Sequence, residues 1–395
     1  MRRNDCPQPA RACLLATVAL LVTGFAAPSY DELCLQGRRH LEQKQFDSAI
    51  DAYSQAIKSS PDQSLGYLGR ALAYQGKKDF DRAITDCSEA IRLSPKEAAP
   101  RIVRAECHEA NKDLDRALAD FTAAIEQNPS RAQSYLARAG IQHKKRDWDR
   151  AIYDFTKAAE LDPQDMSAIL GRAQVYSDKE DYDRAVDDYS EAIRRNNKVA
   201  GYYFLRARVR LIMKEYDRVI ADCSEALRLD PAFSAAYGLR GVAWFEKKDY
   251  DRAITEFNEV IRQMPADIDA YVWRGRAYGE KSDFPKAIAD FSEALRTNPK
   301  CATALQERAR TFEKSGDEQK AQADRKAHSE LVASLPAEKR PGDPAKTTVF
   351  DRMKELGVPA VGGAETGPKP PATATPAVLV ADLARRNADA EKKTA

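Results

Sequence analysis

The chain repeats itself. The run from Ser234 to Asp267, SAAYGLRGVAWFEKKDYDRAITEFNEVIRQMPAD, contains KKDYDRAITEF, and that string returns as KKDFDRAITDC, NKDLDRALADF, KRDWDRAIYDF, KEDYDRAVDDY and KEYDRVIADC. A proline stands near the end of nearly every copy, at Pro61, Pro95, Pro129, Pro163, Pro231, Pro265 and Pro299, and successive prolines differ by 34 (95 − 61, 129 − 95, 163 − 129). Pro163 and Pro231 are two such steps apart. A fixed period of this size marks stacked helix-turn-helix units that share one continuous core. Length then says little about domain count, because such an array grows by adding units.

Counting back from the prolines, units begin at Tyr30, Ser64, Ala98, Ala132, Met166, Ala200, Ser234, Ile268 and Ala302. Each carries two apolar stripes at helical spacing. In the seventh unit these are Tyr237, Gly241 and Trp244, then Tyr250, Ala253, Ile254, Phe257 and Ile261. Spacings of three and four predict two amphipathic helices per unit. Asp249 stands at the turn as an N-cap candidate for the second helix, with Asp79, Asp113, Asp147, Asp181, Glu215, Asp283 and Asp317 as its counterparts. Small residues at positions 8 and 20 of the unit, such as Ala71 and Ala83 or Gly275 and Ala287, let the two helices approach. The closing proline cannot continue the second helix, so the chain reverses there.

These positions carry a family resemblance. An aromatic at 4, Gly or Ala at 8, Tyr at 11, Ala at 20, an aromatic at 24, Ala at 27 and Pro at 32 resemble the tetratricopeptide repeat. Tyr271, Gly275, Tyr278, Ala287, Phe291, Ala294 and Pro299 fill all seven in the eighth unit. The resemblance implies an all-α fold, a right-handed α-solenoid of about eight hairpins plus a degenerate capping unit, whose inner face binds proteins or peptides. It implies no catalysis and no cofactor.

The expected organisation is eight repeats over 30–301, a capping repeat over 302–335 and a tail over 336–395. Asn197 replaces the fifth unit's proline, and the Asn-Asn-Lys turn there is expected to hold an Asn in the left-handed conformation. The ninth unit keeps Arg308, Ala309, Phe312 and Ala321 but puts Glu318, Gln322 and Arg325 where apolar residues belong, as a solubilising cap requires. The tail is rich in Pro, Gly, Ala and Thr and reads as disordered. It contains two short helix candidates, VFDRMKEL and VLVADLARR, which are transient helices or docking segments.

At the other end, Arg2, Arg3 and Arg11 precede the uncharged run ACLLATVALLVTGFAA, which ends in small residues. That layout over 1–27 is a signal peptide with cleavage after Ala26 or Ala27; the alternative is an uncleaved membrane anchor. Export to the periplasm or beyond would put the chain in an oxidising compartment. Beyond the apolar run lie Cys34, Cys87, Cys107, Cys223 and Cys301, an odd number with no framework spacing. Cys87 and Cys223 occupy position 24, where other units carry Phe or Tyr, which makes them core residues. A Cys87–Cys107 bridge is left open.

Chemistry is sparse. A net charge of +2 with 31% charged residues gives no basic face of the kind nucleic acid requires. His40, His108, His143 and His328 show no metal-ligand spacing, and neither a phosphate-binding glycine loop nor a nucleophile elbow is present. The expectation is therefore no enzyme, no metal and no cofactor.

One polar pairing recurs. Position 7 carries Arg70, Arg104, Arg138, Arg172, Arg206, Arg240, Arg274 and Arg308; position 23 carries Asp86, Asp120, Asp154, Asp188, Asp222, Glu256, Asp290 and Asp324. The first unit lacks both, having Gln36 and Ala52. Positions 7 and 23 are equidistant from the turn at 15, so an antiparallel hairpin sets them opposite each other. Joint loss in the first unit favours an ion pair within each hairpin over an arginine ladder for an acidic ligand.

The resemblance also implies that positions 5, 6 and 9 face the inner surface. They hold Leu68, Leu72, Ile102, Val103, Leu136, Leu170, Phe204, Leu205, Leu239, Val242, Val272 and Trp273. An exposed apolar row marks an interaction site for an amphipathic helix or apolar peptide; the alternative is that neighbouring first helices cover the row as core. The Lys and Asn pair by which some relatives clamp a C-terminal carboxylate is absent. The expected function is a non-enzymatic adaptor in a bacterial cell envelope, or alternatively a substrate-capturing subunit of an envelope enzyme encoded elsewhere.

Overall fold

The structure, a computed structural model, describes residues 28–334. The signal-peptide expectation, the tail and its two helix candidates fall outside the described residues. Within them every regular element is a helix, and the chain divides into two compact bodies, 28–130 and 131–334. The N-terminal body contains α1 (Tyr30–Glu42), α2 (Phe46–Ser59), α3 (Ser64–Gly76), α4 (Phe80–Leu93), α5 (Ala98–Ala110) and α6 (Leu114–Gln127). The C-terminal body contains α7 (Ala132–Lys144), α8 (Trp148–Leu161), α9 (Met166–Asp178), α10 (Tyr182–Arg195), α11 (Ala200–Ile212), α12 (Tyr216–Leu229), α13 (Ser234–Glu246), α14 (Tyr250–Gln263), α15 (Ile268–Glu280), α16 (Phe284–Thr297), α17 (Ala302–Ser315) and α18 (Glu318–Ser334). Odd-numbered helices are the first, and even-numbered the second, of each hairpin.

The hairpin of α3 and α4 shows the local rules. Small residues make the crossing: Ala71 and Ala83 are fully buried, as are Ala105 and Ala117 in the next hairpin. In the eighth hairpin a Cβ on Gly275 would stand 2.8 Å from the ring of Phe291, so only glycine fits there. The turn between helices is a Schellman motif. Lys78 takes φ 62, its N–H donates to Gln75 O at 2.9 Å, and Asp79 N–H donates to Tyr74 O at 2.9 Å. The same left-handed residue recurs at position 15 as Lys44, Lys112, Arg146, Glu180, Lys214, Lys248 and Ser282; glycine fills it in the last hairpin, at Gly316.

Position 16 then starts the second helix. Asp79, Asp113, Asp249, Asp283 and Asp317 accept the N–H three residues on, at 3.2–3.4 Å. Asp147, Asp181 and Glu215 make no such cap bond but, like the capping aspartates, pair with the basic residue three on, here Arg150, Arg184 and Arg218.

At the far end of each second helix, the residue before the proline is extended, as Ser94 is at φ −132 and ψ 75. Proline's ring disfavours helical geometry in its predecessor. The Asn-Asn-Lys turn reaches the same geometry without proline. Asn196 lies at φ −145 and ψ 96, and its Oδ1 accepts Lys198 N–H at 3.1 Å. Neither Asn196 nor Asn197 has a positive φ, which corrects the expectation of a left-handed Asn. An Asx turn closes the reversal instead, as Asp162, Asp230 and Asn298 do in other hairpins.

Each body has its own core. In the N-terminal body Leu33, Tyr53, Leu68, Leu72, Cys87, Val103 and Cys107 form one cluster. In the C-terminal body one cluster runs from Phe204 to Leu305 and includes Phe257, Trp273 and Phe291. Within a body successive first helices come together (α1 with α3, α3 with α5, α7 with α9, α11 with α13, α13 with α15, α15 with α17), an approach that successive second helices do not match. First helices therefore line the inner side of each body. In the last hairpin Glu318, Gln322 and Arg325 are exposed.

Candidate functional site

The arginines at position 7 are engaged within the protein. Arg70 grips Asp86 with two parallel bonds, Nε to Oδ2 at 2.7 Å and Nη2 to Oδ1 at 2.8 Å. The same fork joins Arg104 to Asp120, Arg138 to Asp154, Arg172 to Asp188, Arg206 to Asp222, Arg274 to Asp290 and Arg308 to Asp324, at 2.6–3.0 Å. Arg240 reaches Glu256 by a single bond of 2.9 Å, and its own Nε is left without a partner. The longer glutamate does not reproduce the aspartate fork.

The third nitrogen reaches the preceding hairpin, a link the sequence reading missed. Arg70 Nη1 donates to Ser54 Oγ, Arg104 to Ser88, Arg172 to Thr156, Arg206 to Ser190, Arg240 to Ser224, Arg274 to Asn258 and Arg308 to Ser292. All these acceptors occupy position 25. The signal was in the sequence: position 25 offers an oxygen in every unit that another follows, and becomes Lys326 in the last. With fork and third nitrogen engaged, these arginines have little left for a ligand.

Of the apolar row, Leu68, Leu72, Ile102 and Val103 are buried in the N-terminal body, and Phe204, Leu239, Val242, Val272 and Trp273 in the C-terminal body. These nine do not form an exposed row, which corrects that expectation. The approach of neighbouring first helices closes over them. Trp273, for example, lies edge-on to Phe245 at 5.3 Å and stacked on Phe257 at 6.3 Å. Leu136, Leu170 and Leu205 are half-buried and keep an open edge.

Polar groups on the first helices of the C-terminal body were not singled out from the sequence, though scanning position 9 alone finds several. His143 Nε2 lies 2.7 Å from Asp178 Oδ2, and Gln174 Nε2 donates to Asp178 Oδ1 at 2.8 Å. Arg276 pairs with Glu307 at 2.8 Å and lies 4.9 Å from the Trp273 ring centroid. Arg208, between these groups in sequence, has a buried Nε with no hydrogen-bond partner. Burial lowers its pKa, against the opposing influence of Tyr189 and Asp178. Burial also pushes the Asp269 carboxyl up to about 7, Asp267 adding to the shift and Arg276 opposing it.

Reaction chemistry finds little support among the described residues. The five cysteines are free thiols, Cys87 and Cys107 included. Burial raises Cys34 to about 11 and Cys107 to about 12, far from the thiolate range. No group of three or more His, Cys, Asp and Glu is placed to hold a metal among the described residues. Nor is any described helix long and apolar enough to cross a membrane.

The family pattern described as the tetratricopeptide repeat matches residues 34–98, 104–165, 170–232, 215–268 and 274–329, well over half of the chain. The chain belongs to the tetratricopeptide repeat family. Proteins of this family are in general non-catalytic scaffolds for protein interaction. Among curated proteins none matches the chain. Among solved structures, YrrB, described as a tetratricopeptide repeat protein with an unusual peptide-binding site, is 26% identical, over 47% of this chain and 95% of YrrB, with a TM-score of 0.40. A tetratricopeptide repeat protein from Parabacteroides merdae is 20% identical over 60% of this chain and 94% of its own, with a TM-score of 0.46. MamA is 23% identical over 43% of this chain and 93% of its own, with a TM-score of 0.40.

Proposed function

We propose that this tetratricopeptide repeat protein is an exported, non-enzymatic adaptor of a bacterial cell envelope. In this reading it holds a partner protein against the inner face of its C-terminal body. Family membership carries the interaction role. The half-buried Leu136, Leu170 and Leu205 on first helices support the choice of face, because they offer apolar edges among polar groups. Elsewhere large exposed apolar side chains are scattered singly, at Leu35, Tyr153, Leu161 and Met264. Export rests on the basic and apolar pattern of the first 27 residues.

A photo-crosslinking residue placed at Leu205, and separately at Tyr153 on a second helix, tests the reading in the native envelope. The adaptor should crosslink a discrete partner from position 205 and not from 153. Equal labelling from both positions, or none from 205, would overturn the choice of face. A mature N-terminus at Ala27 or Pro28 would support export by a cleaved signal.

A further inference from the structure

Within the C-terminal body polar ties join each hairpin to the next, and at one junction most of them fall away. The arginine at position 7 reaches position 25 of the preceding hairpin throughout, as Arg172 reaches Thr156 and Arg206 reaches Ser190. Elsewhere an ion pair adds to that bond. Lys179 pairs with Asp149 at 2.6 Å and His143 with Asp178 at 2.7 Å; Lys247 pairs with Asp217, Lys281 with Asp251, and Arg276 with Glu307 at 2.8 Å. Between the fifth and sixth hairpins none of these is repeated. Met213 takes the place of the lysine, and the Asp183 carboxylate that a lysine would meet has no partner among the described residues. Leu229 stands at position 30, where Arg195 and Gln263 reach back to the carbonyls of Pro163 and Pro231.

Backbone and core change at the same place. Pro163, Pro231, Pro265 and Pro299 close the other hairpins, and a proline ring fixes φ near about −65°. Asn197 leaves that rotation free. Of the successive first helices in this body, α9 and α11 are the pair not drawn together. The large core from Phe204 to Leu305 begins at the junction and takes no residue from α7–α10. Two small clusters cross it, Tyr189 with Val209 and Ile193 with Tyr202. Arg208 of α11 is half-buried there, its Nε withdrawn from water and without a hydrogen-bond partner. Asp178 and Tyr189 act on its charge from nearby without bonding it. The closed junction thus removes part of a cation's hydration and returns no bonds for it, so opening is resisted less here than at the neighbouring junctions.

We propose that the junction of α10 and α11 is a hinge, about which α7–α10 and α11–α18 turn as two parts while the other junctions of the C-terminal body stay closed. Hinge motion concentrates where a few residues absorb the backbone change and little packing resists it. The turn of Asn196, Asn197 and Lys198 absorbs that change. The bond from Arg206 to Ser190 and the two small clusters keep the parts from separating. Leu170 on α9 and Leu205 on α11 stand on opposite sides of the hinge, so its angle sets the width of the inner face between them. The hinge belongs to the chain alone and does not depend on the adaptor reading.

The test is double electron–electron resonance on the full chain, with spin labels carried by unnatural amino acids so that the native thiols stay unlabelled. Arg150, Arg184, Arg218, Arg252 and Lys286 share position 19 of successive second helices and are exposed, which makes them equivalent sites. Labels at Arg150 and Arg218, or at Arg184 and Arg252, span the hinge; labels at Arg218 and Lys286 span two other junctions. The first two pairs should give distance distributions about twice as wide as the third. Met213→Lys, which meets Asp183, combined with Arg208→Leu, should narrow both to the width of the third pair and leave the third unchanged. Met213→Lys alone installs the residue used at other junctions and should give part of that narrowing. Equal widths for all three pairs, or widths across the hinge that both variants leave unchanged, overturn the proposal.

Discussion

At the scale of single residues, the arginine at position 7 does two structural tasks with one side chain. Its fork closes its own hairpin and its third nitrogen holds the hairpin before. Asp86→Ala would strand Arg70 with its side chain only 22% exposed, and should cost about 2–3 kcal/mol, the upper end for a charged hydrogen bond. The double variant with Arg70→Ala should recover part of that loss in a denaturation cycle; strictly additive losses would show the pair contributes nothing as a pair. Ser88→Ala removes the bond from Arg104 together with the one Ser88 Oγ donates to Ile84 O within its own helix, and should cost about 0.5–1.5 kcal/mol. Asp269 behaves in the opposite sense. Its folded pKa of about 7 lies above the ordinary carboxylate value, so the contribution is fully present below the unfolded pKa, near 4. It is lost as pH rises from there through 7. Asp269→Asn should therefore raise the melting temperature at pH 8 and leave it nearly unchanged at pH 4; the same shift at both values would mean the carboxyl is not desolvated.

The elements show why some of this was legible in the sequence and some was not. Helices and turns follow from local rules, so the period and the apolar spacing gave their places, and the equal distance of positions 7 and 23 from the turn pointed to the ion pairs. What depends on how one hairpin lies on the next could not be read from a single unit. Whether Phe204 is surface or core turns on the approach of α11 and α13, and the bond from Arg206 to Ser190 on the stacking of α11 on α10. The Asn turn failed for a different reason, because an Asx side chain closes the reversal with extended backbone. The Schellman turn carries its own prediction. Lys78 and Lys248 hold φ near 60, a conformation that costs a residue with a Cβ and not glycine. Lys78→Gly should stabilise by about 0.5–1 kcal/mol, the relieved strain exceeding glycine's added entropy in the unfolded chain. A fall in the urea midpoint would show that the lysine side chain, whose neighbour Lys77 pairs with Asp47, matters more than backbone strain.

Across the whole molecule, a repeating stack must stop somewhere without offering the next unit a place to add. Every second helix before the last presents an aromatic or Leu at position 17, an aliphatic residue at 21 and an aromatic or Cys at 24. In α14 these are Tyr250, Ile254 and Phe257. Phe257 shows the use of that face, being buried and stacked on Trp273 of the following hairpin. In α18 the same positions hold Glu318, Gln322 and Arg325, all exposed, while Ala321 and Asp324 keep the inner side of the hairpin intact. The difference lies in the face and not in the hairpin. Restoring it with Glu318→Phe, Gln322→Ile and Arg325→Phe together should leave the fold stable and present three large apolar groups, each worth about 1.5–3 kcal/mol once buried. With no following hairpin among the described residues to cover them, a second copy of the chain offers a matching apolar surface. Sedimentation should then show concentration-dependent association of the triple variant under conditions where the parent chain shows none. A variant that sediments as the parent does would mean that the polar residues of α18 are incidental and that the stack is terminated by something else.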